Sequence, residues 1–224
     1  MLGCLGMTAL ERVERAATAL KVFPLPSAVL FPHTVLPLHI FEPRYRSLVR
    51  SALAGDKVMA MAQLEPGYEG SYSGRPRMRP MACAGVIAWH EELDGGRYNI
   101  IVQGTVRARI LEELPPEQAY REVRASILPD VEYHGEEEEQ LRQAMLELAA
   151  RLPPPVAQGL LQASARTAGG ALADVVASSV VADVERRQEL LCELNVGARL
   201  RSVLAEVSEV LARLAPAKPD GPMN

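Results

Sequence analysis

Residues 22–45 read Val22-Phe23-Pro24-Leu25-Pro26-Ser27-Ala28-Val29-Leu30-Phe31-Pro32-His33-Thr34-Val35-Leu36-Pro37-Leu38-His39-Ile40-Phe41-Glu42-Pro43-Arg44-Tyr45. Prolines at 24, 26, 32 and 37 lack the amide a helix needs and clash with the preceding turn. The apolar residues between them therefore belong to short extended pieces at sheet edges or bends. Glu42-Pro43 opens a helix, proline being favoured at the first helical position. Tyr45, Leu48, Val49, Ala52 and Leu53 then recur at spacings of three and four, and Gly55 ends the helix.

On the amino-terminal side, Leu10, Val13, Ala17 and Leu20 predict a short helix over 9–20. On the carboxyl side, Lys57 to Leu64 is a short apolar run, expected as a buried strand, and Glu65 to Pro80 is a Gly- and Pro-rich loop. Residues 81–93 and 97–113 flank Asp94-Gly95-Gly96, a hairpin signal. Gly104 inside the second strand predicts a bulge or a bend where a barrel closes. From Tyr120 to Leu128, Arg121, Val123, Ala125 and Ile127 alternate against Glu122, Arg124 and Ser126. At least five strands and one helix precede residue 130, and the many bends point to a small twisted barrel or sandwich.

After residue 134 the period changes to 3.6. Leu141, Ala144, Met145, Leu148, Ala149 and Leu152 form one helical stripe, stopped by Pro153-Pro154-Pro155. Helices are expected at about 156–166 and 170–181, the second with Leu172, Val175, Val176, Ser179 and Val180 on one face. Asp183 is placed to cap a helix reaching Leu194. The last helix, Val196 to Leu214, has a stripe widened by Leu204 and Leu211, which suits a bundle better than a zipper with so few heptads. Residues 215–224 form a polar, Pro-rich tail, expected to be disordered. The organisation predicted is an amino-terminal extension with a short helix (1–21), a barrel (22–130), a helical bundle (131–214) and the tail.

Composition agrees with a folded chain. Of 224 residues 48% are hydrophobic and 23% charged, and 24 Lys plus Arg face 28 Asp plus Glu for a net charge of −4. This excludes a disordered chain, which is poorer in apolar residues. Negative charge and ten aromatic residues argue against nucleic acid as the main partner. Residues 1–130 carry 15 basic and 14 acidic side chains, and residues 131–224 carry 9 and 14, so charge changes where the period changes. Cys4, Cys83 and Cys192 are odd in number and include no C-x-x-C pair, which suggests reduced thiols in the cytoplasm. Met1-Leu2-Gly3-Cys4 has no basic segment or apolar run before it and is no secretion signal; Met7 is an alternative start. No run approaches the ~18 apolar residues of a membrane span.

The proline-punctuated run, from Phe23-Pro24-Leu25-Pro26 through Val29-Leu30-Phe31-Pro32 to Leu36–Tyr45, resembles the opening of the amino-terminal domain of Lon proteases. Asp94-Gly95-Gly96-Arg97-Tyr98-Asn99-Ile100-Ile101-Val102-Gln103-Gly104-Thr105-Val106-Arg107 is similar to that family's second signature. Leu172-Ala173-Asp174, Ala177-Ser178, Arg187–Leu191 and Arg199-Leu200 resemble its closing helices, so the likeness spans about residues 22–214. His33 stands where many members carry glycine, which implies a different turn there. The resemblance implies an α+β fold: a PUA-like pseudo-barrel of mixed and antiparallel strands, then an α-helical bundle. It also implies substrate recognition and a part in assembly. Phe31, Pro32, Pro37, Leu38, Phe41, Glu42, Arg44, Tyr45, Gly96, Arg97 and Gly104 are markers of this fold, with Phe31, Pro32, Leu38, Ile40 and Phe41 expected in the barrel core.

Catalytic residues, metal ligands and cofactors are not expected. Lys21, Lys57 and Lys218 are the lysines, and none sits in a phosphate-cradling G-x-x-x-x-G-K-[ST] loop, so the length covers recognition without ATPase or protease machinery. His33, His39, His90 and His134 share no ligand spacing, Cys83 reads as a small core residue, and Glu136–Glu139 reads as a solvated helix start. Arg75, Arg77 and Arg79 alternate with Pro76, Met78 and Pro80, placing three guanidiniums on one face of an extended loop, with Met78 and Met81 as adaptable apolar contacts. This loop is the local candidate for a binding edge. The function expected is a non-catalytic adaptor that binds unfolded or exposed polypeptide segments, or a protein client, alongside a separate ATPase or protease. RNA binding through the Arg75/Arg77/Arg79 loop and an uncharacterised hydrolase are the alternatives.

Overall fold

The computed structural model describes residues 6–72, 74–131 and 133–214. The predicted tail, 215–224, lies outside them. Helix α1 (Ala9–Ala16) is entered through a capping box between Thr8 and Glu11. It is shorter than its periodicity implies: Leu20 already begins strand β1 (Leu20–Leu25), and Leu10 is exposed. Strand β2 (Val35–Ile40) and helix α2 (Pro43–Ala54) follow, then β3 (Val58–Leu64), β4 (Met78–Leu93), β5 (Arg97–Glu113) and β6 (Arg121–Leu128). Strand β4 starts three residues before the predicted 81, because Met78 pairs with Leu64 beyond a register shift.

The strand order is β2-β5-β4-β3-β1-β6, and β6 pairs again with β5, so five strands close on themselves while β2 stays outside the ring. Among the pairings of these six strands β1–β3 is parallel and the others are antiparallel. One edge of β5 is used twice. Residues 98–103 pair with β2, and residues 107–113 pair with β6. Gly104 lies between the two partners, beside a register shift, as the sequence predicts for a closing bend. A Cβ there would overlap the carbonyl of Phe31, because the 31–34 turn folds directly onto it: His33 N–H donates to Gly104 O (3.0 Å) and Gly104 N–H to Thr34 O (2.9 Å). His33 itself has φ +63°, so the histidine takes up the left-handed conformation that a glycine would supply easily.

The prolines sit where a missing amide does least harm. Pro37 lies on β2, which has a single partner, and Pro24 lies past the β1 residues (20–22) that pair with β6. Two hydrophobic clusters cover the two faces of the sheet. A small-residue cluster joins Val13 to Leu20, Val22, Val58, Ala60, Ala62, Ala82, Ala84, Ala108 and Val123. A larger one runs from Phe23, Phe31, Leu48 and Met61 into the helices, reaching Leu141, Val176, Leu200 and Val207.

The helical half contains α3 (Glu137–Ala149), α4 (Pro154–Ala165), α5 (Gly169–Val180), α6 (Val184–Cys192) and α7 (Val196–Arg213). Asp183 caps α6 by accepting from Arg186 N–H (2.7 Å), and Asn195 caps α7 through Ala198 N–H (2.9 Å). Helix α7 packs against both α3 and α5, the bundle arrangement rather than a zipper. The α5 stripe is wider than predicted: Leu172, Val175 and Val176 are buried as expected, Ala173, Asp174 and Ala177 are buried with them, and Ser179 is exposed.

Asp174 is buried because it receives two guanidiniums. Arg107 of β5 forks onto it (Nη2–Oδ1 2.7 Å, Nη1–Oδ2 3.0 Å) and donates Nε–H to Leu191 O (2.9 Å). Arg199 of α7 places Nε 3.1 Å from the same Oδ1 and donates to Asp130 Oδ2 (2.5 Å) and Glu193 O (2.6 Å). Burial alone would lower the Arg107 pKa, but the bonds to Asp174 more than reverse this and hold it above the usual guanidinium range. Two fully buried arginines and two aspartates thus bolt the barrel to the helices with no net charge. Gln188 Nε2 adds a bond to Met81 O (2.9 Å), from α6 to β4.

Candidate functional site

Strand β2 and the hairpin ends of β5 and β4 form a three-stranded sheet that continues from the closed ring, and its two faces differ. Residues opposite each other in register project to the same side. Leu36–Val102, Leu38–Ile100 and Ile40–Tyr98 make the inner side, where Ile40, Tyr98, Ile100 and Val102 are buried. The outer side carries Val35 opposite Gln103, Pro37 opposite Ile101, and His39 opposite Asn99. On the far strand Trp89 faces Ile101 and Glu91 faces Asn99. Each row therefore crosses three strands. His39 Nδ1 lies 2.8 Å from Asn99 Oδ1, and Asn99 Nδ2 donates to Glu91 Oε2 (3.2 Å).

The next row, Pro37–Ile101–Trp89, is apolar. Trp89 is 48% exposed and Val35 62% exposed, and Phe41, stacked beside His39 at 6.1 Å, is 60% exposed. Val35 and the row Pro37–Ile101–Trp89 are neighbours on this side, and Phe41 lies beyond the polar row, so the exposed apolar residues fall on one face of the sheet. Phe41 therefore departs from its predicted place in the barrel core: the chain leaves β2 just beyond Ile40, and residue 41 continues the outward parity of 35, 37 and 39. The open edge of β2 carries Pro37, which lacks the amide an added strand would use, so the face rather than the edge is the accessible feature.

The arginine loop is arranged differently from its expected form. Arg75 Nε lies 3.2 Å from Glu113, Arg77 Nε 3.7 Å from Glu65, and Arg79 pairs with Glu185 of α6, which also accepts from Gln63 (3.0 Å). The three guanidiniums reach β5, the loop after β3 and α6 and form no shared face, and of the three only the Arg77 side chain is strongly exposed (89%). Met78 is half-buried at the start of β4, and Met81 is buried in the core, out of reach of a surface partner.

The remaining markers hold the sheet and α2. Phe31, Pro32 and Tyr45 are buried, Leu38 is half-buried, and Gly96 (φ +70°) ends the hairpin turn in which Arg97 donates to Asp94 O (3.1 Å). Glu42 and Arg44 belong to a polar cluster at the start of α2, with Arg44 over the rings of Tyr45 (4.6 Å) and Tyr72 (5.0 Å). Burial pushes the Cys83 thiol up to about 12, partly offset by the nearby Arg107, so it stays protonated as a core residue. Among the described residues no group of three or more His, Cys, Asp and Glu side chains is placed to hold a metal ion.

A family model described as the ATP-dependent protease La (LON) substrate-binding domain matches residues 19–209. The chain belongs to this family. Lon protease 4 of Sorangium cellulosum is 28% identical over 195 residues, covering 85% of this chain and 24% of that protein. Lon protease 2 of Herpetosiphon aurantiacus is 29% identical, with 87% and 24% covered. This chain thus spans about a quarter of the length of those relatives. The solved N-terminal domain of Mycobacterium avium complex Lon protease superposes with a TM-score of 0.67 at 19% identity, covering 85% of this chain and 98% of that one. A Lon N-terminal domain protein from Xanthomonas campestris gives 0.61 at 22%, with 84% and 98% covered. The Lon N-terminal fold is therefore the fold of this chain. The part matched in Lon is its non-catalytic, substrate-binding region. No described helix is long and apolar enough to cross a membrane.

Within this Lon-type domain, the loop stands out in the sequence by charge and the outer face does not stand out. Val35, Pro37, His39 and Phe41 do alternate with Leu36, Leu38 and Ile40, but both sets are largely apolar, so parity alone did not say which pointed outward. The signal for the junction was plainer: Asp174 is a lone charge inside the apolar segment 172–177, and Arg199 sits beside Leu200 in another helix.

Proposed function

We propose that this chain is a non-catalytic polypeptide-binding module that holds exposed apolar segments of non-native proteins on the outer face of β2–β5–β4. The single observation carrying this reading is the apolar row Pro37–Ile101–Trp89, with Val35 beside it and Phe41 beyond the polar row, on a sheet anchored to a closed ring of strands. An extended client lays alternate apolar side chains across that row, while the His39–Asn99–Glu91 row offers polar groups to its backbone. The barrel up to about residue 130 is the recognition unit, and residues 131–214 are the brace that keeps it in shape. Unfolding and cutting belong to ATPase and protease modules that work with it. The RNA reading has weaker support: each arginine of the 75–79 loop faces a carboxylate of the same chain.

Trp89 is the one tryptophan of the sequence, so its fluorescence reports binding directly. Titration with reduced, carboxymethylated casein should shift its emission, and the native globular form of a similar-sized protein should not. Trp89→Ala and Phe41→Ser, followed by anisotropy of labelled casein, should each weaken binding about tenfold, the loss of ~1.4 kcal/mol typical of an aromatic anchor. Unchanged affinity in both variants would remove the face from consideration.

A further inference from the structure

A cavity of about 200 Å³ opens at the start of α2, lined by Arg44, Tyr45, Arg75, Pro116, Tyr120 and Arg121 among others. Three guanidiniums converge on a small, partly apolar space, and they are unequally matched. Arg121 is nearly buried and forks onto Glu113 (Nε–Oε1 2.9 Å, Nη2–Oε2 2.5 Å), its remaining nitrogen donating to Pro76 O (2.6 Å). That fork engages both oxygens of Glu113. Arg75 approaches the same carboxylate only through Nε (3.2 Å), and its two Nη nitrogens make no hydrogen bond to another described residue. Arg44 has its own partner, Glu42 (Nη2–Oε2 3.0 Å), and donates to Tyr72 O (3.2 Å).

The cluster therefore holds three positive charges and two negative ones, with the unused donors on Arg75 and the surplus of one charge beside a cavity. We infer that this pocket binds a single carboxylate of a client polypeptide, with Arg75 as the principal donor and Arg44 and Arg121 as its cationic walls. A monoanion neutralises the cluster, whereas a dianion overshoots it. The planar Nη pair of Arg75 matches the two oxygens of a carboxylate, and the rings of Tyr45 and Tyr120 cover the adjoining methylene groups. The volume suits one side chain or one chain terminus. This inference rests on the polypeptide-binding reading above and extends it. Phe41, the last apolar residue of the outer face, is three residues from Arg44, so their Cα atoms are at most about 11 Å apart. One bound segment can thus present apolar residues to the face and a carboxylate to the pocket. The carboxylate is an acidic side chain or the free carboxyl terminus of the client.

The test uses one fluorescein-labelled apolar heptapeptide in three forms: amidated and without acidic residues, amidated with one terminal-proximal Glu, and with a free carboxyl terminus. Anisotropy with the full chain should show about tenfold tighter binding of at least one carboxylate form than of the neutral form, and the difference between the two acidic forms identifies the source. Arg75→Gln should reduce that ratio to near one, and Arg75→Lys should restore part of it. Trp89→Ala should weaken all three forms alike. Equal affinities of the three forms for the unmodified protein, or a preference that survives Arg75→Gln, would overturn the pocket while leaving the apolar face standing. A readout free of any peptide separates the two readings further. N-acetylglycinate should move the Arg75 Nε–H resonance in a 15N spectrum, with inorganic phosphate moving it less at equal concentration. No movement with N-acetylglycinate, or a stronger response to phosphate, overturns the inference even if no peptide binds.

Discussion

The junction between barrel and helices and the outer face of β2–β5–β4 invert the usual placement of side chains. At the junction, Arg107, Arg199 and Asp174 are at most 1% exposed and pair by charge, Arg107 with two hydrogen bonds to Asp174 and Arg199 Nε with an ion pair whose N–H makes no hydrogen bond among the described residues. On the outer face, Trp89, Phe41 and Val35 are about half exposed or more and have the sheet beneath them instead of a core. Interior charge ties the two halves together at one place, a fork from Arg107 and a guanidinium of Arg199 that bridges Asp174 and Asp130, and removing one member leaves an uncompensated buried charge. Exterior apolar surface costs little in a rigid sheet and leaves contact area for a partner. The comparison separates residues needed for the fold from residues available for function.

The largest test of that separation is Asp174→Ala. It strands two buried guanidiniums and should destabilise the protein by about 3–5 kcal/mol in urea unfolding. The triple replacement Arg107→Met, Asp174→Leu, Arg199→Met should recover most of the loss, since a well-packed apolar set removes the uncompensated charge. A smaller loss for Asp174→Ala than for a surface substitution would show that the junction carries no weight. Next comes Gly104→Ala, which forces apart the 31–34 turn and β5 at the bend and should cost about 1–3 kcal/mol, read as a lower thermal midpoint. Substitutions on the outer face should behave oppositely. Trp89→Ala and Phe41→Ser should change stability by no more than about 0.5 kcal/mol while weakening client binding. A large drop in stability would mean that the face is core after all.

The smallest effect concerns pH. Burial opposes ionisation of Glu138, but bonds from Arg142 (2.7 Å) and Gly169 N–H (2.7 Å) win and hold its carboxyl below the ordinary value of 4.5. A depressed folded pKa contributes stability that is present above pH 4.5 and is lost as pH falls through the lower folded value. Glu138→Gln should therefore lower stability at pH 7 by about 0.3–0.5 kcal/mol and flatten the profile below pH 4.5. An unchanged acid limb of the unfolding curve would sink this assignment.

Much of the architecture was legible in the chain itself. Prolines excluded helix from 22–41, Asp94-Gly95-Gly96 marked the hairpin, Gly104 marked the bend, and the change of period after residue 134 marked the helices. These signals are local: turn chemistry and side-chain periodicity act over a few residues and survive without tertiary context. The candidate site was less legible. The arginine loop stood out by charge, yet the direction of each guanidinium depends on Glu65, Glu113 and Glu185, the last over 100 residues away in the chain.

What the sequence determined alone was where strands, turns and helices occur, because backbone donors, glycine conformations and apolar spacing are properties of neighbouring residues. What only the tertiary structure decided was which side of β2 faces out, how Asp174 finds two arginines, and where Arg75 is left with spare donors. Those outcomes depend on which distant elements compete for the same edge, charge or cavity. The shared edge of β5 shows why: β2 and β6 are separated by some eighty residues, and their order along it is set only when the ring closes.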